Sequence, residues 1–376
     1  MPRDDSPRSS RGTGGRRSLR FTALFALAPG ERDHRVAFRA ALGVFLPLVA
    51  LIAIDRLDLA VFAIFGAFTG VYGRVEGHRN RLEAQLRAGA LFWVVILGAW
   101  LSSARLVDHA SGWGPWAVVG LTTAVAWSCS LATAYLRIRP AGSLFHIFAF
   151  AAIASQPRLP PLGEAMSATS ATMLLAVAIG LASWLPPRSR TPWRRVRTPA
   201  APTDHRAVWL DSVGYLLGAG IAGTVATLLS PAWSTEHTYW AMVAAVVPLV
   251  GRTTRHRVVR GVHRILGTIA GLAVMAVIVL AAPSPWVAAL VIGLMQFGAE
   301  MLITRNYFWA QVFVTPLALV GTSLAAGFGP GLLRDRMLET LVGAAVGVCV
   351  VLAGSAWGGR AGKPGAPAAG NPAGPG

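Results

Sequence analysis

The chain has 376 residues, 54% of them hydrophobic and 13% charged, about half the charged share of an ordinary soluble domain. Its charges fall in short clusters between long neutral runs, which excludes a single water-soluble globule and fits a polytopic membrane protein. A formal net charge of +18 would suggest nucleic acid in a soluble protein. Here the arginines stand at the ends of apolar runs and form no continuous basic face, so nucleic acid is excluded as a partner.

Residues 1–36 read as a basic cytoplasmic tail. Arg16-Arg17-Ser18-Leu19-Arg20-Phe21 has a faint likeness to a twin-arginine export signal, but the apolar part, Thr22–Ala28, is short and Pro29 disfavours cleavage. Residues 37–185 hold six apolar runs: Ala37–Ile54, Leu59–Tyr72, Ala88–Ser103, Trp116–Leu136, Ser143–Ala154 and Met166–Leu185. A cytoplasmic linker rich in Pro and Arg follows at 186–206. Residues 207–357 hold six more runs: Ala207–Leu229, Tyr239–Val250, Ile265–Ala282, Trp286–Phe297, Tyr307–Ala326 and Met337–Trp357. The Gly/Pro/Ala-rich stretch 358–376 reads as a disordered cytoplasmic tail. The expected fold is all-α, a polytopic membrane protein of about twelve transmembrane helices. Several runs, the second and eighth above all, fall short of the ~20 residues a spanning helix needs, so their helices are extended by polar flanks or broken.

The two sets of six match as repeats. Asp33-His34-Arg35 opens the first and Asp204-His205-Arg206 the second, each followed by a Gly eight residues after its Arg, at Gly43 and Gly214. Gly73-Arg74 with His78-Arg79 returns as Gly251-Arg252 with His256-Arg257, and Gly89 and Gly267 follow at equal distance. Six passes per repeat make the repeats parallel, related about an axis along the membrane normal. With the N-terminus inside, all but five of the 34 Lys and Arg fall on the inner side; the exceptions are Arg56, Arg105, Arg158, Arg334 and Arg336. That asymmetry satisfies the positive-inside rule with both termini in the cytoplasm and the chain in the plasma or inner membrane. Gly66/Gly70, Gly214/Gly218, Gly267/Gly271 and Gly343/Gly347 have the four-residue spacing that lets membrane helices approach closely, within the chain or in a homo-oligomer. Cys129 and Cys349 lie in apolar runs and read as packing residues, and no metal-ligand spacing is present.

Two blocks resemble the fusaric acid resistance family, also called the aromatic acid exporters. The first is Tyr239-Trp240, an apolar run, a basic turn, then Arg264-Ile265-Leu266-Gly267-Thr268 and Gly271. The second is Glu300, Arg305-Asn306-Tyr307 and Val314-Thr315-Pro316-Leu317-Ala318-Leu319. The resemblance implies export of small aromatic or other amphipathic organic acids. It also keeps an anion channel in view, since plant anion channels are related to the family. Longer members carry a sizeable cytoplasmic domain where this chain has a linker of about twenty residues, so that domain's role in assembly does not carry over.

Charges inside apolar runs are costly and mark functional candidates. Asp211 reads either as a proton-carrying carboxylate or as an interfacial Asp at a helix start. Glu300 and Arg305 read as an ion pair or a gate, His146 as a proton relay or a packing residue, and Arg39 as a snorkelling cation or a substrate contact. Arg257, Arg260 and Arg264 share one helical face, which suits either carboxylate binding at a membrane mouth or anionic-lipid anchoring. Tyr72, Tyr239, Trp240, Tyr307 and Phe308 read as ring-stacking residues or interface anchors. No phosphate loop or hydrolase motif appears, so the chain reads as a non-enzyme without cofactor. The leading expectation is an ion-coupled exporter of small organic anions, in exchange with protons. An anion channel and a non-transporting membrane scaffold stand beside it.

Overall fold

The computed structural model describes residues 24–30, 33–74, 76–182, 184, 193, 204–235, 237–251, 253–324 and 331–361. Among these the chain is all-helical: α1 (Asp33–Ala53), α2 (Ala60–Ala67), α3 (His78–Arg105), α4 (Gly114–Tyr135), α5 (Leu144–Ala154), α6 (Leu162–Ala182), α7 (His205–Trp233), α8 (Tyr239–Ala245), α9 (Thr254–Leu280), α10 (Pro285–Leu302), α11 (Tyr307–Ser323) and α12 (Leu332–Ala361). The twin-arginine stretch, nearly all of the linker and residues 362–376 lie outside the described residues. The expected end of the last helix, Trp357, is passed by α12.

Eight helices are long and apolar enough to cross a bilayer: α1, α3, α4, α6, α7, α9, α10 and α12. The other four, α2, α5, α8 and α11, are the second and fifth in each set of six. At 1.5 Å per residue the seven residues of α8 cover roughly 10 Å, about a third of a hydrocarbon core. All eight residues of α2 and all seven of α8 are buried, and α5 meets α8 as α2 meets α11. The short helices thus form the centre. The long helices surround them and turn Leu174, Leu217 and Leu290 outward, an apolar exterior suited to lipid. The 3₁₀ turn that follows α2, Phe68–Val71, and the buried stretch Val246–Leu249 after α8 have protein around them. That setting is where non-helical backbone is tolerated at membrane depth.

Neighbour relations in the two sets correspond. The first helix of each set packs on the fourth of the other, α1 on α10 and α7 on α4. The third packs on the fifth, α3 on α5 and α9 on α11. The sixth packs on the second, α6 on α2 and α12 on α8.

Two helices start far earlier than hydropathy places them, by about three turns each. α3 begins at His78 rather than Ala88, and α9 at Thr254 rather than Ile265. The basic stretch expected to be a turn is therefore the first three turns of α9, because arginine is a good helix former. The turn itself is short: the Thr253 side chain accepts a hydrogen bond from the His256 backbone N–H at 3.2 Å and caps the helix.

Glycine spacing separates into close seams and ordinary contacts. A Cβ on Gly343 or Gly347 would overlap the carbonyl oxygens of Ala241 and Ala245 in α8. One on Gly267 would lie 2.8 Å from the Phe308 carbonyl oxygen, and one on Gly271 2.9 Å from that of Val312, both in α11. Gly70, Gly214 and Gly218 would meet neighbours only at ordinary van der Waals distance.

Candidate anion site

Polar side chains buried between α8, α9, α11 and α12 form one connected cluster. Gln311, in the second turn of α11, is its hub. Its Oε1 accepts from Arg264 Nη1 at 2.8 Å and from the Tyr307 hydroxyl at 3.1 Å. Its Nε2 donates to Thr315 Oγ1 at 3.0 Å and to Thr268 Oγ1 at 3.3 Å. Arg264, Thr268, Gln311 and Thr315 meet here because Gly267 and Gly271 let α9 lie against α11. The Arg260 guanidinium sits 4.1 Å above the Tyr307 ring.

Arg336 completes the cluster from α12. Its guanidinium lies 3.7 Å over the Trp240 ring, and Trp240 stacks on Tyr239 at 5.2 Å. Gly343 and Gly347 bring α12 close enough to α8 for that contact. Arg264, Tyr239, Tyr307 and Glu339 all lie within electrostatic reach of Arg336. Glu339 is one turn further along α12, with Asp335 and Arg336 within electrostatic reach and the Thr235 hydroxyl and the Trp240 backbone N–H near its carboxyl.

The cluster is sealed and under-satisfied. Arg264 and Arg336 are each 2% exposed, Glu339 1% and Gln311 0%. Nε and Nη2 of Arg264 and Nε and Nη1 of Arg336 have no hydrogen-bond partner among the described residues. Buried guanidinium donors left open are costly. Two such groups within electrostatic reach of each other, with aromatic rings alongside, suit a carboxylate that offers oxygen acceptors and a ring.

Comparison with known proteins finds a family model that matches the stretch holding this cluster. Residues 221–350 match the model of the fusaric acid resistance protein-like family. Every cluster residue named above falls inside that fusaric acid resistance protein-like stretch. An uncharacterized membrane protein of Bacillus subtilis (strain 168), YvaC, is 32% identical over 131 residues. The alignment covers 34% of this chain and 21% of that relative, so the chain matches only about a fifth of its length. No solved structure matches the chain. With its long apolar helices, the chain is a multi-pass membrane protein.

Of the residues expected to bind substrate, Arg260, Arg264, Tyr239, Trp240 and Tyr307 come together here. The others do not. Arg257 leaves the shared face to pair with Asp211 at 3.0 Å, and the Asp211 side chain is 58% exposed. Arg305 donates through Nε to the Ala28 carbonyl at 2.9 Å. Arg39 donates to the Arg74 carbonyl at 3.2 Å. His146 stacks on Phe92 at 4.5 Å, a packing position in the first set. Glu300 is not paired with Arg305. Its carboxylate bonds Arg74, which also donates to the Glu300 carbonyl at 2.6 Å and to Asp33 at 3.0 Å. Arg74 so ties the first basic elbow to α1 and α10.

Three cluster members went unrecognised in the sequence. Arg336 reads there as an outer-side cation, because it precedes the last apolar run by one residue. Glu339 and Gln311 lie inside apolar runs, and the rule that polar groups in spans are functional applies to both.

Hydrogen bonds between turns fall into two groups. The first holds Arg74 with Asp33 and Glu300, Arg305 with Ala28, Tyr135 with His205, and Arg257 with Asp211. The second holds Arg56 with Asp58 and Glu164, Ser103 with Gln156, and Arg334 with Ser234. In the second, the Arg56 guanidinium holds the Asp58 carboxyl below its ordinary range.

Proposed function

We propose that this chain is a membrane transporter of small organic anions, aromatic carboxylates among them, that works as an exporter through one occluded site in its second half. The observation that carries the reading is the pair of buried guanidinium groups, Arg264 and Arg336, with four N–H-bearing nitrogens open beside Tyr307, Gln311 and Trp240. The family description points the same way, since fusaric acid is itself an aromatic carboxylic acid and resistance to it calls for its removal from the cell.

A carrier fits better than an open pore. A channel keeps its ion-lining groups in continuous water, whereas Arg336 and Glu339 are almost wholly buried. Alternating exposure of such a site is the behaviour expected of repeat-built transporters with short helices at the binding region. The corresponding neighbour relations of α1–α6 and α7–α12 support two parallel six-helix repeats. The two groups of inter-turn hydrogen bonds match the two faces that alternating passes would give, which supports twelve crossings. The arginine-rich group is then cytoplasmic, in the plasma or inner membrane. The repeats share a fold but not the chemistry, because the corresponding space in the first half is filled by Tyr72, Phe92 and His146 rings.

The test is flux of labelled benzoate from proteoliposomes holding the purified chain. Wild type is expected to carry benzoate saturably, and Arg264→Gln and Arg336→Gln to lose most of that flux while inserting normally. Absence of saturable flux in wild type, or unitary currents in planar bilayers, would overturn the carrier reading.

A further inference from the structure

Arg264 and Arg336 are held in different ways. Arg264 gives Nη1 to Gln311 Oε1 at 2.8 Å, and its open nitrogens are Nε and Nη2. These two share one edge of the planar group, with N–H bonds that run parallel, and that edge takes both oxygens of a carboxylate. Gln311 fixes the presentation. The Thr315 hydroxyl donates to the Gln311 backbone carbonyl at 3.0 Å, so its oxygen is left to accept from Gln311 Nε2. The amide oxygen therefore points at Arg264, and the reverse orientation would set donor against donor. Arg336 is open at Nε and Nη1, whose N–H bonds diverge and form no such fork. Its guanidinium lies 3.7 Å over Trp240, and Asp335 and Glu339 are its buried neighbours on α12. Trp240 is 1% exposed, with Tyr239 stacked on it and Phe148 of α5 at 5.2 Å. The indole is taken up within the protein.

Resting on the anion-transport reading, we propose that the two arginines divide the work of binding: Arg264 grips both oxygens of the ligand's carboxylate through its Nε–Nη2 edge, and Arg336 adds a cation seated on Trp240. Gln311 is then the positioning residue for Arg264, and Trp240 the positioning residue for Arg336. The site so selects a planar head with two acceptor oxygens over an anion of equal charge with one. Lysine can stand in for Arg336, because an ammonium also sits over an indole ring. It cannot stand in for Arg264, because an ammonium is a point charge with no edge to offer. Trp240 acts on the ligand through Arg336 rather than by stacking on the ligand's ring.

The experiment uses the purified full-length protein in nanodiscs and equilibrium binding of labelled benzoate. The competitor is pentafluorophenolate, an aromatic monoanion whose charge sits on one oxygen. Wild type is expected to prefer benzoate by roughly tenfold or more, since one charge-assisted hydrogen bond is worth about that. Arg264→Lys is expected to weaken benzoate by roughly tenfold or more and to erase the preference. Arg336→Lys is expected to keep the preference and to lose less than about fivefold. Gln311→Met, which keeps the bulk and loses the acceptor, is expected to shrink the preference. Trp240→Leu is expected to weaken both anions alike, and Trp240→Phe to restore them. Equal affinity of wild type for the two anions would overturn the proposal whichever variants fold. So would a preference unchanged in Arg264→Lys, or a loss in Arg336→Lys as large as that in Arg264→Lys. If wild type binds no benzoate at all, the anion-site reading itself fails and the division of work with it, a result distinct from benzoate binding without preference.

Discussion

Gln311→Glu offers the sharpest test of the cluster as an anion site, because it places an anion where the ligand's charge is needed. Gln311 Oε1 already accepts from Arg264 at 2.8 Å and from Tyr307 at 3.1 Å, and a carboxylate oxygen can take the same position. The second oxygen replaces Nε2, which donates to Thr315 at 3.0 Å and to Thr268 at 3.3 Å. The Thr268 hydroxyl can turn and donate instead, whereas that of Thr315 already donates to the Gln311 carbonyl at 3.0 Å and would have to give that bond up, so the exchange costs about 1 kcal/mol. The added charge faces the buried Arg264 guanidinium and offsets its positive charge. At an effective dielectric of about 20 and a separation of ~4 Å that interaction is about 4 kcal/mol. Even if a quarter of it is lost to imperfect geometry, about 3 kcal/mol is withdrawn from an incoming carboxylate, or roughly 100-fold in affinity. The expected result is a variant that melts within a few degrees of wild type, or above it, and binds benzoate about two orders of magnitude more weakly by calorimetry. Stable Gln311→Glu with wild-type benzoate affinity would refute the argument that the Arg264 charge is what holds the ligand.

Three further outcomes follow from the packing and pairing. Gly343→Leu should lower thermal stability in detergent by about 1–3 kcal/mol by overpacking α8, while Gly43→Leu, with nothing within 4 Å of its Cβ position, should not; scanning fluorimetry distinguishes them. Arg74→Gln leaves Glu300 and Asp33 without their shared cation and should cost about 3–5 kcal/mol, and a melting point within two degrees of wild type would refute that. Asp211→Asn breaks only an exposed pair with Arg257, so stability should change by less than about 1 kcal/mol and the pH profile of benzoate flux should not move.

Much of the scaffold was legible because a bilayer writes itself into composition. The apolar runs fall where the helices are, and the brevity of the second and eighth runs anticipates the buried α2 and α8. What failed was the use of hydropathy to end a helix. Arg255, Arg257, Arg260 and Arg264 interrupt an apolar run but not the backbone, so α9 begins about eleven residues before its greasy part. Half of the site was legible through the aromatic pair Tyr239-Trp240 and through Arg264 and Tyr307. The other half needed tertiary structure: nothing in the sequence joins Arg336 to Trp240 across nearly a hundred residues. The pairing of Glu300 with Arg74 rather than its neighbour Arg305 was hidden for the same reason.

Glycine-mediated contact of α12 with α8, and of α9 with α11, limits how the centre can open. Helices that touch backbone to backbone have no side-chain layer to slide upon, so each couple shifts as a single beam. Arg336 and Trp240 ride on one beam, Arg264 and Gln311 on the other, and access from either face of the membrane requires the beams to part. Cysteine staples within a beam should leave turnover intact, whereas one joining the two beams should arrest it with cargo trapped inside.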